Sequence, residues 1–208
     1  AWDLFDEAMW NYEGVGWYAA EIGAGLAATG KVQRLKFGRV NYQAKVWLNG
    51  ELLGENVNGY LPFEFDVTGK LKPNAANPLV VRIDNAPRVT WLPGAKKIEW
   101  MQYGGILEPV LLETMPRVYV SGLTIQAVPE SAGARVEGTV EVISRAGEPA
   151  ELSVRVSILG EAGVLDDAKL TIAPGGQAQR RFSLRLAQAN LWSPENPHLY
   201  TLRATIAT

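Results

Sequence analysis

Apolar and polar positions alternate with period two through most of the second half of the chain. Val136, Gly138, Val140 and Val142 are interleaved with Glu137, Thr139 and Glu141. Leu152, Val154, Val156 and Ile158 are interleaved with Ser153, Arg155 and Ser157, and Phe182, Leu184 and Leu186 with Arg181, Ser183 and Arg185. One apolar face on a period of two predicts half-buried antiparallel strands. "RAGEPA" and "APGGQA" supply turns between them. About seven short strands over roughly 90 residues is the pattern of an immunoglobulin-like sandwich. The first half also reads as β, with longer loops. Val46 and Leu48 alternate with Lys45 and Trp47 up to Asn49-Gly50, a hairpin signal. "NPLVVRIDN" and "EPVLLETM" are further strands, and "DEAMW" offers a short turn at most. Many strands joined by Pro-, Gly- and Asn-rich loops predict a jelly-roll-like sandwich.

The fold class is therefore all-β: a jelly-roll β-sandwich over residues 1–116, then an immunoglobulin-like β-sandwich over 117–208. The boundary is set at Met115-Pro116-Arg117, where proline removes a backbone donor. Six of the seven tryptophans precede Pro116 and only Trp192 follows it.

Composition narrows the chemistry. The 208 residues carry a net charge of −2, with no basic surplus to point to nucleic acid. There is no cysteine and a single histidine, His198, so a Ser-His-Asp triad or a multi-histidine zinc centre has little to be built from. No apolar run reaches the roughly 18 residues that span a bilayer. Both ends look cut from something longer, and the compartment stays open between bacterial cytoplasm, periplasm and exterior.

Two carboxylates about 5–5.5 Å apart would suit a retaining glycosidase. Glu99 and Glu108 flank the Gly104-Gly105 bend, but a solvated rim pair is the commoner arrangement. Asp166 and Asp167 are adjacent, which on a strand sends them to opposite faces; they read as turn residues. The aromatics are the stronger signal, because sugars stack their C–H faces on Trp and Tyr beside polar groups. Trp91, Glu99, Trp100, Gln102 and Tyr103 fall in or beside one long loop, "IEWMQYGGI" at its end. Trp10, Asn11 and Tyr12 form a second cluster. Both clusters are also what core and loop anchoring would produce. Lys96-Lys97 reads as a solvated pair or a contact for an acidic group.

Five motifs stand in order: "EGVGWYAAEI", "FGRVNYQAKVWLNGELLGENVNGYLPFEFDVT", "NPLVVRIDN", "YGGILEPVLLETMPRVYVSGLTI" and "LWSPENPHLYTL". Together they resemble the N-terminal half of glycoside hydrolase family 2, the β-galactosidase, β-glucuronidase and β-mannosidase group. The resemblance implies a sugar-binding, galactose-binding-like jelly roll followed by the family's immunoglobulin-like domain. It implies a TIM barrel beyond these, carrying both catalytic glutamates, so no catalytic residue is expected within these 208. It also implies that a loop of the jelly roll reaches the substrate through an acid before the Y-G-G-I turn. That acid is Glu99 here, where the family more often has Asp, one methylene shorter. Trp100, Gln102 and Tyr103 would share this rim, and Asn11 falls where some relatives place a second substrate-facing loop. Leu107 and Glu108 depart from the family's aromatic-or-His then Arg. Expected partners are a β-glycoside, the barrel of the same polypeptide and, as in relatives, a second copy in a homo-oligomer. No cofactor, metal, nucleic acid or membrane is expected. Two other readings remain open, a free-standing carbohydrate-binding module and a purely structural sandwich pair.

Overall fold

Asn49 and Gly50 both take the left-handed backbone region, with φ of 54° and 84°, and close a two-residue hairpin turn. Positive φ at both central positions matches the right-handed twist of the flanking strands. The computed structural model describes residues 1–4, 6–92, 103–161 and 163–207. The chain divides into two units, Ala1–Thr114 and Met115–Thr208.

The first unit contains β1 (Val15–Ile22), β2 (Val32–Phe37), β3 (Val40–Asn41), β4 (Gln43–Leu48), β5 (Glu51–Val57), β6 (Phe63–Asp66), β7 (Asn77–Asp84), β8 (Gly105–Ile106) and all but the last residue of β9 (Val110–Met115). They form a four-stranded sheet β1-β7-β4-β5, a three-stranded sheet β6-β2-β9 and a short pair β3-β8. Two 3₁₀ turns, Trp2–Leu4 and Glu7–Met9, precede β1. Alternation decides which side of each strand is inside. Ala44, Val46 and Leu48 of β4 and Leu79, Val81 and Ile83 of β7 face Leu35 and Phe37 of β2 across one core. Phe37 stacks on Phe63 with centroids 4.8 Å apart.

Two buried amides tie loops to this core. Asn77, with no exposed surface, accepts from Lys72 N–H (2.7 Å) and Asn49 Nδ2 (2.9 Å). It donates to the carbonyls of Lys72 and Ala75. Gln33 likewise accepts from Ala28 N–H and donates to the Leu26 carbonyl and to Thr114 Oγ1.

The second unit holds β10 (Val118–Glu130), β11 (Gly133–Ser144), β12 (Ala150–Ile158), β13 (Leu165–Ile172), β14 (Gln177–Leu186) and β15 (Leu202–Ala207). Two three-stranded sheets, β10-β11-β14 and β13-β12-β15, enclose Val140, Val142, Phe182 and Leu184 with Leu152, Val154, Val156 and Ile172. Six strands are described where about seven short ones are expected from the sequence. β10 and β11 run 13 and 12 residues as one hairpin in continuous register, apart from a bulge near Val120. Asp166 and Asp167 stand on strand β13 rather than in a turn. Strand geometry points them apart: Asp166 pairs with Arg180 and Asp167 with Arg155, each at 2.7 Å.

Removing the Asn77 side chain leaves buried donors and acceptors unmet. Asn77→Ala is expected to lower the unfolding free energy by about 2–4 kcal/mol. Urea denaturation followed by tryptophan fluorescence measures this; a loss below ~0.5 kcal/mol would contradict the role given to the amide. On the outer side of β4–β5, the Gln43 amide first, and the Lys45 ammonium second, hold the Glu55 carboxyl below its ordinary range. A carboxylate lowered in this way stabilises the fold above its unfolded pKa, and that contribution is lost as pH falls through the folded value. Gln43→Ala is expected to return the Glu55 titration upward, read by carbon-detected NMR.

Candidate functional site

The two described ends of the segment 93–102 are pinned to the same end of the first unit. At the entry, Trp91 stacks on Tyr42 with centroids 4.4 Å apart and planes 8° from parallel. The Arg88 guanidinium lies 4.5 Å from the Trp91 ring centre on the cation–π criterion. Leu92 N–H donates to the Tyr42 hydroxyl at 3.0 Å. Asp84, at the end of β7, accepts from Ala86 N–H at 3.1 Å and pairs with Arg88 at 3.4 Å and Arg82 at 3.5 Å. This gives the 84–88 turn a fixed charge pattern. Tyr60 meets Tyr42 edge-on at 6.4 Å. Burial, and secondarily the Tyr42 phenol, push the Tyr60 hydroxyl above its usual pKa.

At the exit, Tyr103 is followed by Gly104 and Gly105, and nothing larger fits there. A Cβ on Gly104 would stand 2.5 Å from both the Trp2 indole and the Asn85 amide nitrogen. Gly105 has φ of 93°, and a Cβ there would lie 2.3 Å from the Tyr18 hydroxyl. The close approach has a purpose. Gly104 N–H donates to the Asp3 carboxylate at 2.7 Å in a buried bond, and Trp2 N–H donates to the Gly104 carbonyl at 3.1 Å. Gly105 pairs with Asn41 in β3-β8, and Asn41 precedes the Tyr42 that holds Leu92. Entry and exit therefore rest on neighbouring residues.

Of the residues expected at a substrate rim, Glu99, Trp100 and Gln102 lie outside the described residues. Tyr103 is described and 42% exposed. Asn11 is exposed and adopts φ of 59°, a left-handed conformation that Asn tolerates better than most side chains. The structure brings Asn11 and Tyr103 to one junction. Asn85 Nδ2 donates to the carbonyl of Tyr12, next to Asn11, while its Oδ1 accepts from Gly14 N–H, both at 2.8 Å. The same amide packs against Gly104, next to Tyr103. Tyr42, Tyr60, Arg88 and Asp84 were not singled out for this region. Tyr42 in particular is hidden within the alternating run "VNYQAKVWL", where it reads as strand.

Glu108 lies beside Arg39, with Nε to Oε1 at 3.8 Å and both side chains substantially exposed. Such a pair contributes little. His198 packs edge-on against Tyr200 at 4.7 Å in the second unit. Among the described residues, no cluster of three or more His, Cys, Asp or Glu could hold a metal ion, and no helix is long and apolar enough to cross a membrane.

Comparison with known proteins bears on the whole arrangement. Residues 4–102 match the family model described as the glycosyl hydrolase 2 galactose-binding domain-like domain, and residues 118–208 match that of glycosyl hydrolases family 2. The chain belongs to glycoside hydrolase family 2. It is 29% identical over 199 residues to a β-galactosidase of Bacteroides ovatus, covering 91% of this chain and 22% of that protein. It is 25% identical over 195 residues to a β-galactosidase of Thermoanaerobacter pseudethanolicus, covering 92% and 26%. A solved Bacteroides uniformis β-glucuronidase 2, covalently bound to cyclophellitol-6-carboxylate aziridine, superposes with a TM-score of 0.85 at 26% identity. That match covers 94% of this chain and 24% of the solved one. The chain thus spans about a quarter of the length of these relatives and corresponds to their N-terminal region. In family terms its fold is a galactose-binding-like sandwich followed by the family 2 immunoglobulin-like sandwich.

The Gly104 junction can be tested directly. Gly104→Ala forces the Trp2 indole or the Asn85 amide aside, and is expected to lower the unfolding free energy by about 1–3 kcal/mol. The near-ultraviolet circular dichroism of the indoles should change with it; an unchanged spectrum and melting curve would contradict the packing described.

Proposed function

We propose that this chain is the non-catalytic N-terminal portion of a retaining β-glycosidase. Residues 1–116 are its sugar-binding jelly roll and residues 117–208 its immunoglobulin-like domain. Together they brace a TIM-barrel catalytic domain of the same polypeptide, and the segment 93–102 is lent to the rim of that barrel's substrate site. The observation that carries the reading is the pinning of both ends of this segment. Trp91 and Leu92 are held by Tyr42, and Gly104 by Asp3, Trp2 and Asn85. Feet fixed this closely together suit a segment that has to reach a site supplied elsewhere.

In this reading Glu99 accepts hydrogen bonds from substrate hydroxyls, and Trp100 and Tyr103 offer ring faces to the sugar. Gln102 and Asn11 supply amides beside them. The acid/base and the nucleophile come from the barrel, two carboxylates about 5–5.5 Å apart. The covalent adduct of the Bacteroides uniformis relative supports a nucleophilic route, because a covalent bond to the enzyme needs an enzyme nucleophile.

Two measurements test this. The 208-residue chain should show no turnover of nitrophenyl β-glycosides, and appreciable turnover would sink the proposal. In the full-length protein, Glu99→Gln is expected to lower kcat/KM by about 10-fold or more, the cost of one charge-assisted hydrogen bond. Unchanged kinetics would leave the two domains a structural brace only.

A further inference from the structure

The outer face of the β1-β7-β4-β5 sheet carries a feature that neither the core nor the 93–102 junction uses. Strand register sets its side chains in rows. Trp17, Arg82, Lys45 and Glu55 lie opposite one another across β1, β7, β4 and β5. The next row on the same face is Ala19, Val80, Trp47 and Leu52. Trp17 and Trp47 stand in different rows on strands that are not neighbours, yet their rings stack at 5.8 Å and 28°. To meet, both indoles lean across β7 from its two sides. Trp17 remains 62% exposed, while Trp47 beneath it is half-buried.

We infer that this face is a binding platform for an uncharged glycan chain, with the free face of the Trp17 indole as its stacking surface. Three properties favour that occupant. The ring is ordered by Trp47 before any ligand arrives, so stacking on it costs little further side-chain entropy. The polar groups around it are already paired, Lys45 with Glu55 at 3.3 Å and Arg82 with Asp84 at 3.5 Å. Paired groups present fixed donors and acceptors to hydroxyls without demanding a charged ligand. The exposed apolar surface of this face is small. Its exposed large apolar residues, Trp17, Leu52 and Val57, fall well short of the ~800 Å² per partner that a stable protein interface buries. A pyranose ring needs only the flat indole and the hydroxyl partners beside it.

The test uses the 208-residue chain with cellohexaose, xylohexaose and β-1,4-galactotetraose, and oligogalacturonate as a charged contrast. At least one neutral oligomer should bind, with a change in tryptophan emission, and calorimetry should give a Kd between about 10 μM and 1 mM. Trp17→Ala should weaken that binding 10-fold or more, Trp17→Phe should retain part of it, and Trp192→Ala should leave it unchanged. In the wild-type chain, saturating oligomer should shield Trp17 from N-bromosuccinimide oxidation, read by peptide mass spectrometry; this readout needs no variant to fold. The proposal is overturned by absence of binding to every neutral oligomer at 10 mM, by oxidation of Trp17 regardless of ligand, or by equal affinity in Trp17→Ala. Tighter binding of oligogalacturonate would overturn the uncharged class. Self-association of the wild-type chain in sedimentation, lost in Trp17→Ala, would instead give the face to a second copy. None of these outcomes bears on the Glu99 kinetics, so the two readings fail separately.

Discussion

A buried carboxylate holding one backbone amide sets the geometry of the end of the first unit where the candidate site lies. Asp3 is 1% exposed, and its Oδ2 takes the N–H of Gly104 at 2.7 Å across 101 residues of sequence. A charge out of water is tolerated only where it meets donors, so the bond fixes Asp3 and Gly104 together or leaves a strongly unfavourable state. Trp2, next in sequence, fills the space over the glycines, stacks on Tyr18 and meets Tyr12 edge-on. The N-terminal segment is thereby stitched to the loop exit before β1 begins. Asn85 adds the second stitch, from the end of β7 to Tyr12 and Gly14. Asn11 and Tyr103 owe their shared location to these bonds and make none of them in the described set.

This explains which parts of the molecule were legible in its sequence. Alternation is a local property, and the local elements follow it: the Asn49-Gly50 hairpin, β4, β7 and, in the second unit, the runs within β11, β12 and β14 stand where the sequence pattern places them. The extended register of β10 and β11 was not legible as two long strands. A bulge between Val120 and Gly122 shifts the register there, and the pairing continues beyond it to Glu130 and Gly133. Asp166 and Asp167 read as turn residues because two adjacent acids are polar on both faces. On β13 each face offers an arginine, and polarity on both sides is satisfied.

The candidate site was legible only as residue types. Trp91 and Tyr103 drew notice as aromatics near an acid, and Asn11 as an amide between rings. The contacts that give them a place come from Tyr42, Asn85 and Asp3, separated from them in sequence by tens of residues. Tyr42 lies at the bend between β3 and β4 and Asn85 just past the end of β7, and neither type of position stands out in the sequence. The sequence motif of the family supplied what periodicity lacked, because the order of five motifs constrains long-range partners that no local pattern contains.

The tryptophans of the first unit show how the same side chain takes different work from its surroundings. Trp2 is buried against glycines, where its bulk excludes any Cβ and so dictates the bend. Trp91 is clamped between a tyrosine ring and a guanidinium, and its use is to hold a loop foot. Trp17 has one face on Trp47 and the other in water. Burial alone would rank Trp17 least important of the three. Yet it is the one whose ordered ring face is not consumed by the fold. An exposed indole on a flexible loop would lose rotamer freedom on binding, whereas one already stacked has lost that freedom on folding. The stability of the sheet thus covers in advance part of what a ligand would otherwise have to overcome, and that separates a platform from an ordinary exposed ring.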